Sequence, residues 1–133
     1  MALKSETFPV VSSSDVVKVR QVVRQWAGEL KFSLVDQTKL VTATSELARN
    51  ALEHGGGGTM CAEIVEDGMR KGLKLVFDDK GRGISNLELA LKDGYSTGGG
   101  MGLGLSGSKR LVNDFQINSE PGRGTTVTII RWK

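Results

Sequence analysis

The sequence predicts a two-layer α/β sandwich, in which helices pack on one face of a mixed, mostly antiparallel sheet. Two long segments in the N-terminal half carry apolar residues at helical spacing. Later segments alternate apolar and polar residues as strands do, and glycine-rich turns separate them. The length of 133 residues fits a single domain over residues 1–133, with one ordinary hydrophobic core.

The composition excludes several classes of protein. Hydrophobic residues make up 38% and charged residues 25% of the chain, as in ordinary globular domains. No apolar run approaches the roughly 18 residues of a membrane helix, and no secretory signal is visible. Cys61 is the single cysteine, so a disulfide framework is excluded and we expect a cytoplasmic location. The net charge of +3 comes from scattered residues, so we expect neither a nucleic-acid nor a membrane partner.

The chain begins with a predicted strand and a first helix. Residues 8–11 form the strand, and Pro9 favours an edge position because proline cannot donate to a sheet ladder. A serine run followed by Asp15 is typical of a helix start, and the apolar spacing continues to about Lys31. We therefore expect the first helix to begin directly after the first strand.

The second helix carries the first functional pattern. It begins at a capping box made by Ser33 and Asp36, and it ends at Gly55. Because residues four apart share a helix face, Glu46 and Asn50 lie one turn apart. Beside them runs a stripe that comprises Leu40, Thr44, Leu47 and Ala51. An amide oxygen can bind Mg2+, and a nearby carboxylate can orient or deprotonate a nucleophile. On its own, such a pair more often consists of two ordinary polar residues that lie beside a buried apolar stripe.

The next two strands place an acid at the end of the sheet. Residues 59–66 and 73–79 form a hairpin. Alternate side chains share a face, so Asp79 lies on the same side as the apolar residues of its strand. Gly81 and Gly83 follow, and they leave room for a flat ligand. The carboxylate can accept a hydrogen bond from an exocyclic amine such as N6 of adenine, although a plain turn capped by aspartate is the alternative.

A glycine-rich segment then leads into a third main helix that ends near Asn113, after a short helix over residues 86–92. Such a segment offers backbone N–H groups and a positive helix end to phosphates, whereas the alternative is a disordered loop. The residues expected to close over the phosphates are Gly98, Gly99, Gly100, Gly102, Leu103, Gly104 and Leu105.

The last two strands, residues 114–120 and 125–132, complete the predicted sheet. Thr125 shares a face with the apolar residues of its strand, so it is the first core-side residue after Gly124. Its hydroxyl can complete a polar pair with Asp79, or the residue simply begins a strand as β-branched residues often do.

Four elements occur in one order: Glu46 with Asn50, Asp79 with Gly81 and Gly83, the glycines at 100, 102 and 104, and Gly124 with Thr125. Together they resemble the N, G1, G2 and final Gly-Thr boxes of the GHKL (Bergerat-fold) ATP-binding superfamily, over essentially the whole chain. Three phrases resemble the small bacterial anti-sigma-factor serine kinases, and among them the RsbT-type switch kinases of the stressosome: residues 45–50, 93–97 and 109–111. Ser106 departs from that branch, where proline is expected.

The resemblance implies ATP and Mg2+ as cofactors. Asp79 is then expected to bind adenine with support from Thr125, Asn50 to hold Mg2+ at the phosphates, and residues 98–104 to close over them. Glu46 is expected to act as the base on a protein serine, and so to be the catalytic residue. The implied partners are STAS-domain substrate proteins, a PP2C-type phosphatase that the released kinase activates, and, as a further partner, a sigma factor.

Three other interpretations compete with the kinase. A sensor histidine kinase needs a phosphoacceptor on a separate helix pair, whereas His54, the single histidine, directly follows the second helix. ATPases of the Hsp90, gyrase or MutL type are expected to carry further domains. An anti-sigma factor or another nucleotide-gated binding module with little catalysis is the remaining alternative, against which the intact Glu46 argues.

Overall fold

The computed structural model describes residues 2–81 and 105–133. The elements are β1 (Ala2–Val10), α1 (Ser13–Glu29), α2 (Leu34–Glu53), β2 (Gly58–Asp67), β3 (Arg70–Asp79), α3 (Leu105–Arg110), β4 (Asp114–Glu120) and β5 (Gly124–Trp132). The predicted helix over 86–92, Gly83 and the glycine-rich residues 98–104 lie outside the described residues.

The five strands form one sheet in the order β1-β2-β3-β5-β4, and each neighbouring pair is antiparallel. The helices α1 and α2 pack against each other and against the sheet, which confirms the predicted two-layer sandwich. β1 lies at one edge, as Pro9 indicated. Within the described residues, no helix is both long enough and apolar enough to cross a membrane.

Both predicted helix starts are confirmed by their caps. The Ser12 hydroxyl accepts the Asp15 N–H at 3.2 Å, and the Asp15 carboxylate accepts the Val11 N–H at 3.0 Å. At the start of α2, the Ser33 hydroxyl accepts the Asp36 N–H at 3.1 Å. These bonds give side-chain acceptors to N–H groups at the helix starts, where the regular backbone partners of later turns are missing.

The core forms in rows that cross the sheet from strand to strand. One row of cross-strand neighbours consists of Phe8, Met60, Phe77, Val127 and Ile117. All of them belong to the core or pack against it, and so do the buried residues of α1. The predicted stripe of α2 is buried as well, comprising Leu40, Thr44, Leu47 and Ala51. This packing fixes α2, and therefore Glu46 and Asn50, over the sheet.

Two boundaries differ from the prediction. β1 begins at Ala2 rather than Phe8, because the residues before Phe8 also pair with β2, as far as Val65. Lys4 in this added part packs its ammonium 4.1 Å from the centre of the Trp26 ring. α3 ends at Arg110 rather than near Asn113. The chain joins the sheet there, since the Asn113 N–H donates to the Ile130 carbonyl at 3.0 Å.

Candidate nucleotide-binding site

The row at one end of the sheet is polar, although the row beside it is apolar. Asp79 on β3 lies opposite Thr125 on β5, and Thr125 lies opposite Ser119 on β4. All three residues are half-buried and lie on the helix-facing side, two positions beyond the row that contains Phe77. On β2 the same row holds Gly58. The helix-facing side of the sheet thus ends in a carboxylate and two hydroxyls.

The Asp79 carboxylate is held by backbone donors. It accepts the Gly81 N–H at 2.9 Å and also a backbone hydrogen bond from Thr125. Burial raises the pKa of Asp79 above its ordinary value, and these two N–H groups offset part of that rise. A carboxylate has about four lone-pair positions, so capacity remains for a donor on a ligand.

Glycines bring the end of α2 directly against this carboxylate. A Cβ on Gly55 would lie 2.6 Å from Asp79 Oδ1, and a Cβ on Gly81 would lie 2.5 Å from the Gly55 Cα. The Gly55 N–H donates to the Asn50 carbonyl at 3.2 Å. Gly55 therefore joins the last turn of α2, which carries Asn50, to the predicted adenine-binding residue.

A third glycine sets the position of β5. Gly124 has a φ of +91°, a conformation that residues with a Cβ rarely adopt. A Cβ there would also lie 2.8 Å from the Lys80 Cα. Only glycine lets the start of β5 approach the end of β3 this closely, and Thr125 follows it directly.

The predicted catalytic pair lies along α2 as expected. Glu46 and Asn50 are both half-buried, and Asn50 is one turn before the end of the helix. Since a helix rises about 5.4 Å per turn, Glu46 lies one such step farther from the Gly55 contact. The structure thus places Asn50 in the last turn of α2, which is joined to Asp79 and Gly81 through Gly55, and Glu46 one turn earlier.

The other predicted residues divide into two groups. Leu105 is 2% exposed and belongs to the hydrophobic core at the start of α3. Its contact with nucleotide stays a prediction, as do those of the glycines outside the described residues. Lys109 and Arg110 are exposed at the end of α3.

Ser119 is a site residue that the sequence analysis missed. Its hydroxyl lies 2.8 Å from the Thr125 hydroxyl, and it donates to the Gly124 carbonyl at 3.1 Å. The Thr125 side chain therefore pairs with Ser119, whereas the predicted link from Thr125 to Asp79 is made by backbone. The parity of β4 carries a signal, because Ser119 follows Phe115 and Ile117 on one face.

The donor set fits Mg2+ that is bound largely by phosphate and water. Within residues 2–81 and 105–133, no three histidine, cysteine or acidic side chains are grouped to hold a metal ion. Asn50 offers one carboxamide oxygen at the half-buried end of α2. Mg2+ usually takes only one or two ligands from a protein and keeps several waters, so a single amide oxygen beside phosphates is sufficient.

Residues 35–133 match the HATPase_c family, described as histidine kinase-, DNA gyrase B- and HSP90-like ATPases. The match covers most of the chain and includes every residue of the polar row. The chain belongs to this family. The expected membership of the GHKL superfamily is thereby confirmed, and with it an ATP-binding domain.

Sequence comparison with individual proteins shows which members of the HATPase_c family this chain resembles. It is 44% identical to the serine/threonine-protein kinase RsbT of Bacillus subtilis over 123 residues, which is 92% of each chain. It is 28% identical to the anti-sigma F factor of Clostridium beijerinckii, over 90% of this chain and 87% of that one. The expected resemblance to RsbT-type kinases is confirmed.

The fold also matches a solved structure, that of the RsbU and RsbW domains of Rv1364c from Mycobacterium tuberculosis. The TM-score is 0.63 and the sequence identity 21%, with 98% of this chain covered. This HATPase_c chain spans 33% of that longer chain. At this identity the likeness supports the fold and says nothing about activity.

Proposed function

We propose that this HATPase_c chain is an ATP-dependent protein serine/threonine kinase of a bacterial partner-switching pathway. The observation that carries the proposal is the position of Glu46, half-buried one turn from Asn50 on the helix that meets Asp79. A module that only binds nucleotide needs Asp79 and the glycines, whereas a kinase also needs a base, which the Glu46 carboxylate can supply. The 44% identity to RsbT supports the same conclusion.

Asp79 recognises the adenine ring in this proposal. Its carboxylate accepts a hydrogen bond from the N6 amine, and its orientation is fixed by N–H donors from Gly81 and Thr125. The backbone at Gly55 and Gly81 presents no side chains, so a flat base can approach closely. Burial favours a neutral carboxyl, but a donor from adenine favours the charged form that accepts it.

Asn50 lies at the phosphates and is the residue that holds Mg2+. When bound, this ion neutralises charge that develops on the phosphate oxygens. The remaining phosphate contacts are assigned to residues 98–104, as the sequence predicts. Phosphoryl transfer depends mainly on positioning and on charge neutralisation, so few protein groups are needed.

Glu46 acts on the hydroxyl of the incoming protein serine. The serine oxygen forms a bond to the γ-phosphorus while the bond from that phosphorus to the bridging oxygen of ADP breaks, and the serine proton passes to the Glu46 carboxylate. A base in this position typically accelerates such a step by about 100-fold to 10,000-fold. Glu46 is thus the one protein group to which we assign proton transfer.

The protein partners follow from the resemblance to RsbT-type kinases. The substrate is a serine or threonine of a STAS-domain antagonist, and the released kinase binds and activates a PP2C-type phosphatase. Both partners and the kinase are assigned to the cytoplasm. An anti-sigma factor is the second candidate function, and the 28% identity to an anti-sigma F factor favours it.

The test is transfer of labelled phosphate from ATP-Mg2+ to a purified STAS-domain protein encoded beside this chain. Glu46→Ala and Glu46→Gln are compared with wild type, and Glu66→Ala serves as the control because Glu66 is exposed at the opposite end of β2. Both Glu46 variants are expected to bind ATP normally and to lose transfer about 100-fold or more.

The outcomes separate the two candidate functions. Transfer that wild type and the Glu66 variant retain, and the Glu46 variants lose, establishes the kinase and its base. ATP-dependent binding of a sigma factor, with no transfer by wild type, would replace the kinase by the anti-sigma factor. Full activity of Glu46→Ala would leave the kinase standing but remove Glu46 from the chemistry.

A further inference from the structure

We propose that a cleft at the end of the sheet away from the nucleotide binds an acidic segment of a partner protein. The cleft has a volume of about 390 Å³ and lies between the end of α1, the turn from β2 to β3, and the end of β5. This surface, the distal cleft, is lined by Glu29, Leu30, Lys31, Met69, Arg70, Lys71 and Lys133. It is separate from the proposed nucleotide site and does not depend on it.

The distal cleft gathers lysines that are scattered along the sequence. Lys31, Lys71 and Lys133 all line it, and all three are exposed. Within residues 2–81 and 105–133, none of the three forms an ion pair with an acidic side chain. Ammonium groups that share one concave surface repel one another, and an acidic ligand relieves this repulsion.

The other two charged groups of the distal cleft already have partners. The Glu29 carboxylate pairs with the Lys4 ammonium at 3.4 Å. The Arg70 guanidinium pairs with Asp67 at 3.1 Å and lies 4.1 Å from the centre of the Trp132 ring. The three lysines therefore remain available for carboxylates of another molecule.

The shape and the apolar residues of the distal cleft favour a protein segment as the ligand. Leu30 is half-buried and packs against the hydrophobic core, whereas Met69 in the turn is fully exposed. Methionine adapts its shape to varied partners, so it is common at binding surfaces. A segment with carboxylates and an apolar side chain can pair with the lysines and cover Met69. A membrane surface is flat, and it cannot enter a concave cleft.

A ligand in the distal cleft leaves the nucleotide site open. Lys71 and Asp79 lie near opposite ends of β3, which places them roughly 26 Å apart at about 3.3 Å per residue. Salt screens charges over about 8–10 Å, so the ligand and the phosphates of ATP have little influence on each other. We therefore expect the acidic segment and ATP-Mg2+ to bind independently.

The test measures binding of a fluorescein-labelled peptide, Glu-Glu-Leu-Glu-Glu-Leu-Glu-Glu, by fluorescence anisotropy. The same peptide with glutamine in place of each glutamate is the control for charge. In the cleft variant, Lys31→Glu, Lys71→Glu and Lys133→Glu are combined, and the affinity is expected to fall at least about tenfold because attraction is replaced by repulsion. Met69→Ser is expected to lower the affinity about threefold, since the ligand then covers less apolar surface.

The matched control makes the same change of charge on α1. Lys18→Glu, Arg20→Glu and Arg24→Glu are combined there, and all three residues are exposed. Arg20 and Arg24 line a smaller groove of about 190 Å³, so this variant shows whether any basic groove is sufficient. We expect the α1 variant to keep the wild-type affinity for the peptide. Titration of both variants with ATP-Mg2+ checks that they are folded, and we expect no change in that affinity.

Each outcome supports the proposal or overturns it. Loss of peptide binding in the cleft variant alone, with and without ATP-Mg2+, supports it. An equal loss in the α1 variant overturns it, because the peptide then responds to overall charge. Displacement of the peptide by ATP-Mg2+ overturns it as well, since the peptide then occupies the nucleotide site. Wild type that binds phosphatidylserine vesicles but not the peptide would replace the protein segment by a membrane surface.

Discussion

The two ends of the sheet are held together in different ways. At the nucleotide end, Gly55 and Gly81 let backbone segments touch, and backbone N–H groups hold Asp79. At the opposite end, long side chains make the connections. Arg131 at the end of β5 pairs with Asp36 at the start of α2, with 2.6 Å between Nη2 and Oδ1.

The two kinds of contact have different consequences: the backbone contacts orient a group that recognises nucleotide, and the side-chain contacts hold the fold together. A backbone contact has no rotamers to change, so it holds a carboxylate in one orientation, as a preorganised site requires. A long side chain can adjust when its surroundings move, so an ion pair joins elements without fixing them tightly. Substitutions at the nucleotide end should therefore act on nucleotide binding, whereas those of the paired side chains at the opposite end should act on stability.

The largest expected effect is that of Gly55→Ala on nucleotide binding. The new Cβ would lie 2.6 Å from Asp79 Oδ1, so the carboxylate or the last turn of α2 must move. Either shift misaligns the adenine acceptor, and we expect ATP affinity to fall at least about tenfold, equivalent to roughly 1.4 kcal/mol. Calorimetric titration with ATP-Mg2+ measures this change.

Gly28→Ala is the matched control. A Cβ on Gly28 meets no atom within 4 Å, and the residue lies inside α1. Alanine favours a helix over glycine by about 1 kcal/mol, so this variant should be more stable with unchanged ATP affinity. Equal ATP affinity in Gly55→Ala and wild type would contradict the idea that backbone contact orients Asp79.

The next largest effect is that of Asp36→Asn on folding stability. The Arg131 guanidinium hydrogen-bonds the Asp36 carboxylate and holds its pKa below the ordinary value of 3.8, although burial opposes this. Because the folded-state pKa is lowered, the pair stabilises the fold above pH 3.8 and loses that contribution as the pH falls through the folded-state pKa. At pH 7 we expect Asp36→Asn to lower the free energy of unfolding by about 1–2 kcal/mol.

Urea denaturation of both proteins at pH 7 and at pH 3 checks this expectation. The difference in stability should shrink at the lower pH, because below pH 3.8 the unfolded chain binds a proton at Asp36 more readily than the folded protein does. Asp67→Asn is the control, because its ion pair with Arg70 is largely exposed and should contribute much less. A difference that does not depend on pH would assign the effect of Asp36 to shape and not to charge.

The sequence was sufficient for features that depend on local periodicity. The strand period of two placed Asp79 and Thr125 on the core side, and short-range capping patterns gave the starts of α1 and α2. The strand prediction is reliable because a shift of register by one residue would move every apolar side chain to the exposed face.

Features that join distant parts of the chain were not predictable. The Ser119–Thr125 bond needs the register between β4 and β5, and the Gly55–Asp79 contact needs the packing of α2 over β3. The start of β1 was not predicted because it depends on long-range pairing of residues 2–7 with β2. The parity of β4 indicates which face Ser119 lies on, but no local pattern gives the strand pairing or the packing of α2 over β3.

The smallest expected effect is that of Lys31→Gly, at the end of the sheet away from the nucleotide. Lys31 has a φ of +64° just after α1, where the Phe32 N–H closes the helix by donating to the Ala27 carbonyl at 3.0 Å. Glycine adopts this conformation without strain, and its greater freedom in the unfolded chain cancels part of the gain. We expect the free energy of unfolding to rise by about 0.5 kcal/mol, measured by urea denaturation.

Lys18→Gly makes the same change of residue at another position, where we expect the free energy of unfolding to fall. Lys18 is exposed inside α1, where glycine costs about 1 kcal/mol relative to good helix formers. Neither variant should alter ATP affinity, since both side chains are exposed and neither residue is assigned to the nucleotide site. If Lys31→Gly weakened ATP binding, the two ends of the sheet would be coupled, and the division between an end that recognises nucleotide and an end that holds the fold together would fail.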